Sequence, residues 1–268
     1  MRIEILNASA VRLFGRLGVH LTRRTRFAAV TELVNELLPI DGGVELIRLG
    51  PAGDGGYLIP NDLQGIEYAF SPGVSNESGF EAALADQGIK VFLADYSVSG
   101  PASDHPQFEF DRRFVGCLSD DRYITLDDWK DGHIPDYRGD LLLQMDIEGA
   151  EFETLFAASH KLLEQFRIMV IEFHNLQNFW NRPYFDLVSR VFRKLLRTHS
   201  IVHIHPNNCC GSVESRGLEI PRIAEFTFYR HDRLRNHAYR RVFPHPLDRD
   251  NTSKPPLPLP ERWYQVKQ

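Results

Sequence analysis

Cysteine is scarce in this chain. Three thiols occur in 268 residues, Cys117, Cys209 and Cys210. Two are adjacent and none belongs to a C-x-x-C pair, which disfavours both a disulfide framework and a cysteine zinc knuckle. A zinc site drawing on His205, Cys209 and Cys210 is the one cysteine option left. Reduced thiols and a cytoplasmic location are the expectation. Long apolar runs are also missing. Nothing approaches the roughly 18 residues of a spanning helix, and Arg12, Arg16, Arg23 and Arg24 interrupt what would be a signal-peptide core. Positive charge is not in excess: 31 Lys and Arg face 36 Asp and Glu, a net charge of −5. That argues against a nucleic-acid partner held by bulk charge. No internal repeat is visible.

What is present is an ordinary globular composition, 43% hydrophobic and 25% charged, enough for a sizeable core. Three regions are expected: a helical extension over 1–40, a main domain over 41–235, and a proline-rich tail over 236–268. Residues 11–26 alternate apolar and basic side chains, as a helix touching an anionic membrane surface would. Packing of that helix on the domain is the blander expectation. The tail carries Lys254-Pro-Pro-Leu-Pro-Leu-Pro260, an extended segment expected to wrap its own subunit or a neighbour in a homo-oligomer.

The main domain is organised around Leu141-Leu-Leu-Gln-Met-Asp-Ile-Glu-Gly-Ala-Glu151. A continuous apolar run ending in Asp146, Glu148 and Glu151 reads as a buried parallel strand delivering carboxylates to a sheet rim, where open α/β sheets bind ligands. Ile168 to His174 ends the same way, in Glu172 and His174. Upstream, Gly65 to Phe70 is a strand. It runs into a turn at Gly73, then a helix capped by Ser75 or Asn76, then a strand over Ile89–Ala94 that ends in Asp95. This is half of a nucleotide-binding unit. An acid 22 residues after the turn glycine suits the hydroxyls of a ribose. Only one glycine stands where a dinucleotide fingerprint has three, so a nucleoside without a pyrophosphate, S-adenosylmethionine, fits better than NAD.

Other candidates follow from strand ends and turns. Asp54 and Tyr57 flank the glycine-rich loop between Gly50 and Gly56. Ser119 or Asp120, after a strand over Phe108–Leu118, is placed near a base edge. Trp180 lies in a loop that could close over a substrate. Asn207 and Asn208 follow a strand carrying His203 and His205; His205 is placed at the rim, with His203 structural and on the opposite face. Ile223 to Tyr229 reads as a strand near a sheet edge.

The stretch Asp146-Ile-Glu-Gly-Ala-Glu151 followed by an apolar helix resembles the hallmark of FkbM-type S-adenosylmethionine-dependent methyltransferases. Asp54-Gly-Gly-Tyr57, the Phe70-to-Ser75 turn, Asp95, Thr125-Leu-Asp-Asp-Trp129 and Ile171-Glu-Phe-His174 lie in the matching order, over roughly residues 45–230. The first motif departs from the family pattern: Ser71-Pro-Gly-Val-Ser75 lacks the acid and second glycine that many members carry. The resemblance implies an α/β, Rossmann-like class I methyltransferase sheet of seven mostly parallel strands, the last antiparallel, with helices on both faces. It also implies O-methyl transfer to a sugar, glycan or other secondary metabolite. Cofactor contacts are then expected from Asp54, Gly73, Ser75, Asp95, Ser119 and Asp146. His174, Glu148 and Asp146 are the catalytic candidates. Asp146, Glu172 and Asn207 are hard-ligand candidates for Mg²⁺ or Mn²⁺, and His205, Asn208 and Trp180 are acceptor candidates. The competing readings are an NAD-dependent oxidoreductase and a non-catalytic adaptor keeping the fold.

Overall fold

The computed structural model describes residues 14–18 and 22–265. The basic segment proposed as a membrane contact, residues 11–26, therefore falls partly outside the described residues. No helix among them is long and apolar enough to cross a membrane.

Seven strands form the main sheet: β1 (Tyr68–Pro72), β2 (Lys90–Ala94), β3 (Phe108–Asp111), β4 (Leu141–Met145), β5 (Phe166–Phe173), β6 (His199–Pro206) and β7 (Ala224–Arg230). Their spatial order is β3-β2-β1-β4-β5-β7-β6. All neighbours are parallel except that β7 runs against both β5 and β6. This is the class I methyltransferase sheet with its last strand reversed. Chain order reverses between β1 and β4, and such a switch point opens a crevice at the carboxyl ends of the strands.

The central strands β1, β2, β4 and β5 are buried on both sides, so they read as apolar runs rather than as alternations. One face carries most of the helices: α1 (Phe27–Glu36), α3 (Leu126–His133), α4 (Glu151–Ala157), α5 (His160–Leu163) and α6 (Arg182–Leu195). Val30, Leu33 and Val34 of α1 sit in that core, so this part of the N-terminal segment is built into the domain. The opposite face is covered by α2 (Gly79–Ala85) and by a hairpin, Leu46–Leu49 with Tyr57–Pro60. The glycine-rich loop is the tip of that hairpin and hangs over the rim.

Several boundaries differ from the sequence reading. The strand expected over Phe108–Leu118 splits into β3 and a separate Phe114–Gly116. The helix after the first turn starts at Gly79 with Ser78 at its N-cap position, not at Ser75 or Asn76. β7 lies one strand in from the sheet edge, as expected of it. Past residue 235 the chain stays attached: Asn236–Tyr239 pairs with Ile40–Gly42, and Leu259 and Trp263 are buried in the helical-face core.

Candidate active site

The turn after β1 is shaped by backbone. Gly73 has φ 88°, and a Cβ there would lie 1.5 Å from the carbonyl oxygen of Asp146. Only glycine lets the first turn pass the end of β4 so closely. The neighbouring turns hold Ser75 at φ 40°, Glu148 at φ 54° and Asn175 at φ 63°. Non-glycine residues in this region store strain, and such strain gathers at ligand sites. Among the described residues the only other is Arg216.

These turns surround a cleft of about 720 Å³ that Asp54, Tyr57, Gly73, Ser75, Glu81, Asp95, Phe114, Tyr123, Gln144, Asp146 and Glu148 help to line. Asp95 follows β2 directly and is almost fully buried. Its Oδ2 accepts from the Ser75 N–H at 3.1 Å, and its Oδ1 accepts from the Ser97 N–H and hydroxyl, each at 2.7 Å. Three of a carboxylate's roughly four acceptor positions are thus filled, which leaves one for a ribose hydroxyl rather than the paired grip expected. Ser119 does not reach the cleft. Its hydroxyl accepts from the Thr125 N–H at 3.0 Å and bonds Asp128; Phe114, Val115 and Tyr123 occupy the place assigned to it.

A chain of polar side chains runs under the cleft. Ser71 Oγ lies 2.5 Å from Glu81 Oε1 and 2.6 Å from Gln144 Oε1, and Gln144 Nε2 donates to Tyr57 Oη at 3.2 Å. One hydroxyl has one proton to give. With the amide in this orientation, Glu81 must carry the other proton. Burial does push the Glu81 carboxyl up to about 7, against the Ser71 hydrogen bond.

His174 stands at the centre of the rim, after β5. Its Nδ1 is 3.0 Å from Oε1 of Glu151, a side chain with 0% exposure. Its Nε2 faces Glu148 at 3.4 Å, Glu172 at 3.6 Å and Asp146 at 3.9 Å. Burial pulls the imidazole pKa down, but the Glu151 hydrogen bond and the surrounding carboxylates outweigh it and set it above its ordinary value. Burial pushes Asp146 up to about 7; His174 opposes this and Glu148 adds to it. Asp146 Oδ1 is buried with no hydrogen-bond partner among the described residues. Burial, and then the charges of Asp146 and Glu225, hold Glu172 well above the usual carboxylate range.

Donor atoms of Asp146, Glu148 and His174 all lie within 4.8 Å of one another, the one such trio of His, Cys or acidic residues among the described residues. The zinc group of His205, Cys209 and Cys210 is therefore not assembled, and the three cysteines are free. Glu172 adjoins the trio, but Asn207 turns away from it. The Asn207 amide nitrogen donates to both Glu172 oxygens at 3.2 and 3.4 Å, and its oxygen accepts from the Cys209 N–H at 2.9 Å.

The acceptor candidates separate. Trp180 leaves the cleft and stacks on Phe27 at 6.1 Å. His205 pairs with Glu225 in register and lies 3.7 Å from Asp248, which His203 also meets at 2.8 Å. The two histidines share one face, because residues two apart on a strand point the same way. Asn208 holds the C-terminal segment, donating to the carbonyls of Thr252 and Lys254 and accepting from the Thr252 N–H. That segment reaches back over the rim: Asn251 donates to Glu225 at 2.8 Å and to Asp54 at 3.2 Å. Sequence reasoning gave no role to Glu81, Gln144, Glu225 or Asn251. Gln144, a lone amide in an apolar strand, was the signal available.

A family model for the methyltransferase FkbM domain matches residues 74–207, half of the chain. No curated protein matches. Among solved structures, the chain is similar to the N-methyltransferase NodS from Bradyrhizobium japonicum, with 10% identity, 62% of this chain and 87% of that one covered, and a TM-score of 0.33. It is also similar to a putative methyltransferase from an antibiotic biosynthesis pathway of Anabaena variabilis, with 12% identity, 68% and 66% covered, and a TM-score of 0.29. Overlaps this loose add nothing to the strand order, on which the fold assignment rests.

Proposed function

We propose that this chain, which belongs to the FkbM methyltransferase family, methylates a hydroxyl oxygen of a sugar, a glycan or a related secondary metabolite. As a member of that family it is an S-adenosylmethionine-dependent methyltransferase. The cofactor supplies an electrophilic methyl group on a sulfonium. The protein's tasks are to bind it, to align the acceptor oxygen in line with the methyl carbon, and to receive the acceptor's proton.

The observation that carries the oxygen-acceptor reading is His174, held through Nδ1 by the buried Glu151. In the tautomer that donates from Nδ1 to Glu151, Nε2 is the working nitrogen. An alcohol needs such a base, because it is a very weak acid. As the oxygen–carbon bond forms and the carbon–sulfur bond breaks, the hydroxyl proton passes to Nε2. The acidic and amide side chains beside it, Glu172 with Asn207 and Glu225 with Asn251, have the chemistry that sugar hydroxyls call for.

Asp146, Glu148 and His174, with the unpartnered Asp146 Oδ1, are an oxygen-rich donor set suited to Mn²⁺ or Mg²⁺. An ion held there would lower the pKa of an acceptor hydroxyl. His174 Nε2 cannot both ligate an ion and take a proton, so the two uses are alternatives.

The test is calorimetric titration with S-adenosylhomocysteine, with and without Mn²⁺ or Mg²⁺, and with NAD⁺ as a control. Micromolar binding of S-adenosylhomocysteine, followed by transfer of labelled methyl to a panel of sugars and glycans, is the expected result. Label appearing on amines but not on alcohols would overturn the oxygen-acceptor reading. NAD⁺ binding in its place would bring back the oxidoreductase.

A further inference from the structure

The lining of the cofactor cleft is acidic. Asp54, Glu77, Glu81, Asp95, Asp146 and Glu148 bring carboxyl groups to it, and no Lys, Arg or His is among the lining residues. Most of these acids are engaged or stand in solvent. Asp95 is occupied by Ser75 and Ser97. Glu77 turns back on the start of α2, where its Oε1 accepts from the Ser78 and Gly79 N–H groups at 3.0 and 2.7 Å. Asp146 faces His174, and Asp54 and Glu148 are exposed. Glu81 differs from all of them. It is 4% exposed, and its one side-chain partner among the described residues is the Ser71 hydroxyl, on Oε1. Oε2 is left to the cleft that Glu81 lines.

Sheet order decides which part of the cofactor reaches this acid. β3, β2, β1 and β4 stand side by side. The lining therefore runs from Phe114 and Tyr123, through Asp95 after β2, to Gly73, Glu81 and Gln144 at β1 and β4. With the ribose on Asp95 and the base toward Phe114, the amino-acid end of the cofactor extends toward β1. That end carries an ammonium, which calls for an anionic partner when it leaves water. The turn from Ser71 to Ser75 lacks the acid that many family members carry. Glu81 brings a carboxyl to that turn from α2, 2.5 Å from Ser71 Oγ.

We propose that Glu81 binds the ammonium of the cofactor's methionine part, and that cofactor binding expels the Glu81 proton. This rests on S-adenosylmethionine being the cofactor. In the free protein the proton count along Ser71 and Gln144 puts a hydrogen on Glu81. When the ammonium arrives, its N–H replaces that hydrogen and the released proton leaves through the cleft. The chain beneath has a second order in which every member stays partnered. The Ser71 hydrogen turns from Gln144 to Glu81, the Gln144 amide turns over to donate to Ser71, and the Tyr57 hydroxyl donates to the Gln144 carbonyl. Few other charges bear on Glu81. Burial raises its pKa to about 7, the Ser71 hydrogen bond opposes this, and Glu77 adds to it. Val91 and Leu93 of β2 are apolar, and Tyr57 is held well above its ordinary value by burial and so stays neutral. Arg48 of the hairpin is turned to the carbonyls of Pro51 and Gly53.

Calorimetry on the full chain tests this with two ligands. S-adenosylhomocysteine carries the ammonium; 5′-methylthioadenosine has the nucleoside and the thioether but no amino acid. Titrations in buffers of different ionisation enthalpy count the protons released. With S-adenosylhomocysteine the parent chain should release most of a proton near pH 6 and little near pH 8, and affinity should rise about tenfold between them. 5′-Methylthioadenosine should show neither effect. Glu81→Gln should bind S-adenosylhomocysteine about thirtyfold more weakly near pH 8, the worth of one buried charge-assisted hydrogen bond, and the proton release should vanish. Its affinity for 5′-methylthioadenosine should match the parent's, which also reports an intact fold. Equal losses for the two ligands would assign Glu81 to the shape of the cleft, and unchanged binding with proton release intact would put the ammonium elsewhere; either result overturns the proposal. A parent chain that binds neither ligand would remove the cofactor itself, and the role of Glu81 with it.

Discussion

The two halves of the rim are made of different material. Beside β1 and β2 the cleft is formed by backbone: a glycine at φ 88° passing the Asp146 carbonyl, and an acid whose oxygens are held by the amides of Ser75 and Ser97. Beside β5, β6 and β7 it is formed by side chains meeting across long stretches of sequence. Asn207 reaches Glu172, Asn251 reaches Glu225, and Asn208 holds residues 252–255. A backbone-built half breaks when an atom is added to it. A side-chain-built half breaks when one is removed.

The largest effect is therefore expected from the smallest addition. Gly73→Ala places a methyl group inside the Asp146 carbonyl and forces alanine into a left-handed conformation. The turn and the end of β4 must separate, at a cost of about 4 kcal/mol. Denaturant unfolding should show that loss, and binding of S-adenosylhomocysteine should fail. A stable variant with unchanged affinity would mean that backbone approach does not shape this half.

The matching deletion on the other side is His174→Asn. Turnover should fall about 10³-fold through loss of the base, while affinity for S-adenosylhomocysteine stays within about twofold. If affinity fell in step with turnover, His174 would belong to the cofactor half and the division would be wrong.

The division also explains what could be read from sequence. The apolar runs with terminal acids announced β4 and β5, and Gly73 and Asp95 announced the first turn, because each signal is local: a strand period, a glycine, an acid at a fixed interval. The partnerships of the other half left no local trace. Nothing near Asn208 says that it holds Thr252, so it read as an acceptor contact. Trp180 read as a lid because it follows a strand end, yet Phe27, far upstream, claims its ring. Ser119 was misplaced because the strand before it breaks at Asp111 and resumes at Phe114. Glu151 was visible as an acid, but its role depends on His174, which follows the next strand.

Glu81 gives a smaller, pH-dependent test at the boundary between the halves. Its folded pKa of about 7 lies above the ordinary 4.5. The native state therefore holds a proton that the unfolded chain releases. The associated stability is complete below about pH 4.5 and is lost as pH rises through 7. Glu81→Gln keeps a donor toward Ser71 Oγ but cannot ionise. The variant should match the parent near pH 5 and exceed it by roughly 2 kcal/mol near pH 8, read from melting curves across that range. Parallel curves would mean that Glu81 is ionised in the native state and that the Ser71–Gln144 chain runs the other way.

The smallest effect tests whether the C-terminal segment belongs to the side-chain-built half. Asn251→Ala removes one donor from Glu225 and one from Asp54. Only the first of these bonds is shielded from solvent to any degree, since Asp54 is exposed, so the expected loss is about 1 kcal/mol. That loss should not spread evenly. Asn208 still holds Thr252 and Lys254 in the variant, so the segment stays anchored at one end and loosens at the other. Hydrogen exchange should rise at residues 249–251 and change little at Thr252, whose N–H is the one bonded to Asn208. Glu225 loses a hydrogen bond that was holding its carboxyl down against burial, so its pKa should rise further, visible as a shifted carboxyl titration. Faster exchange along the whole of 249–255 would instead mean that Asn251 is the main anchor of the segment and Asn208 only a secondary one.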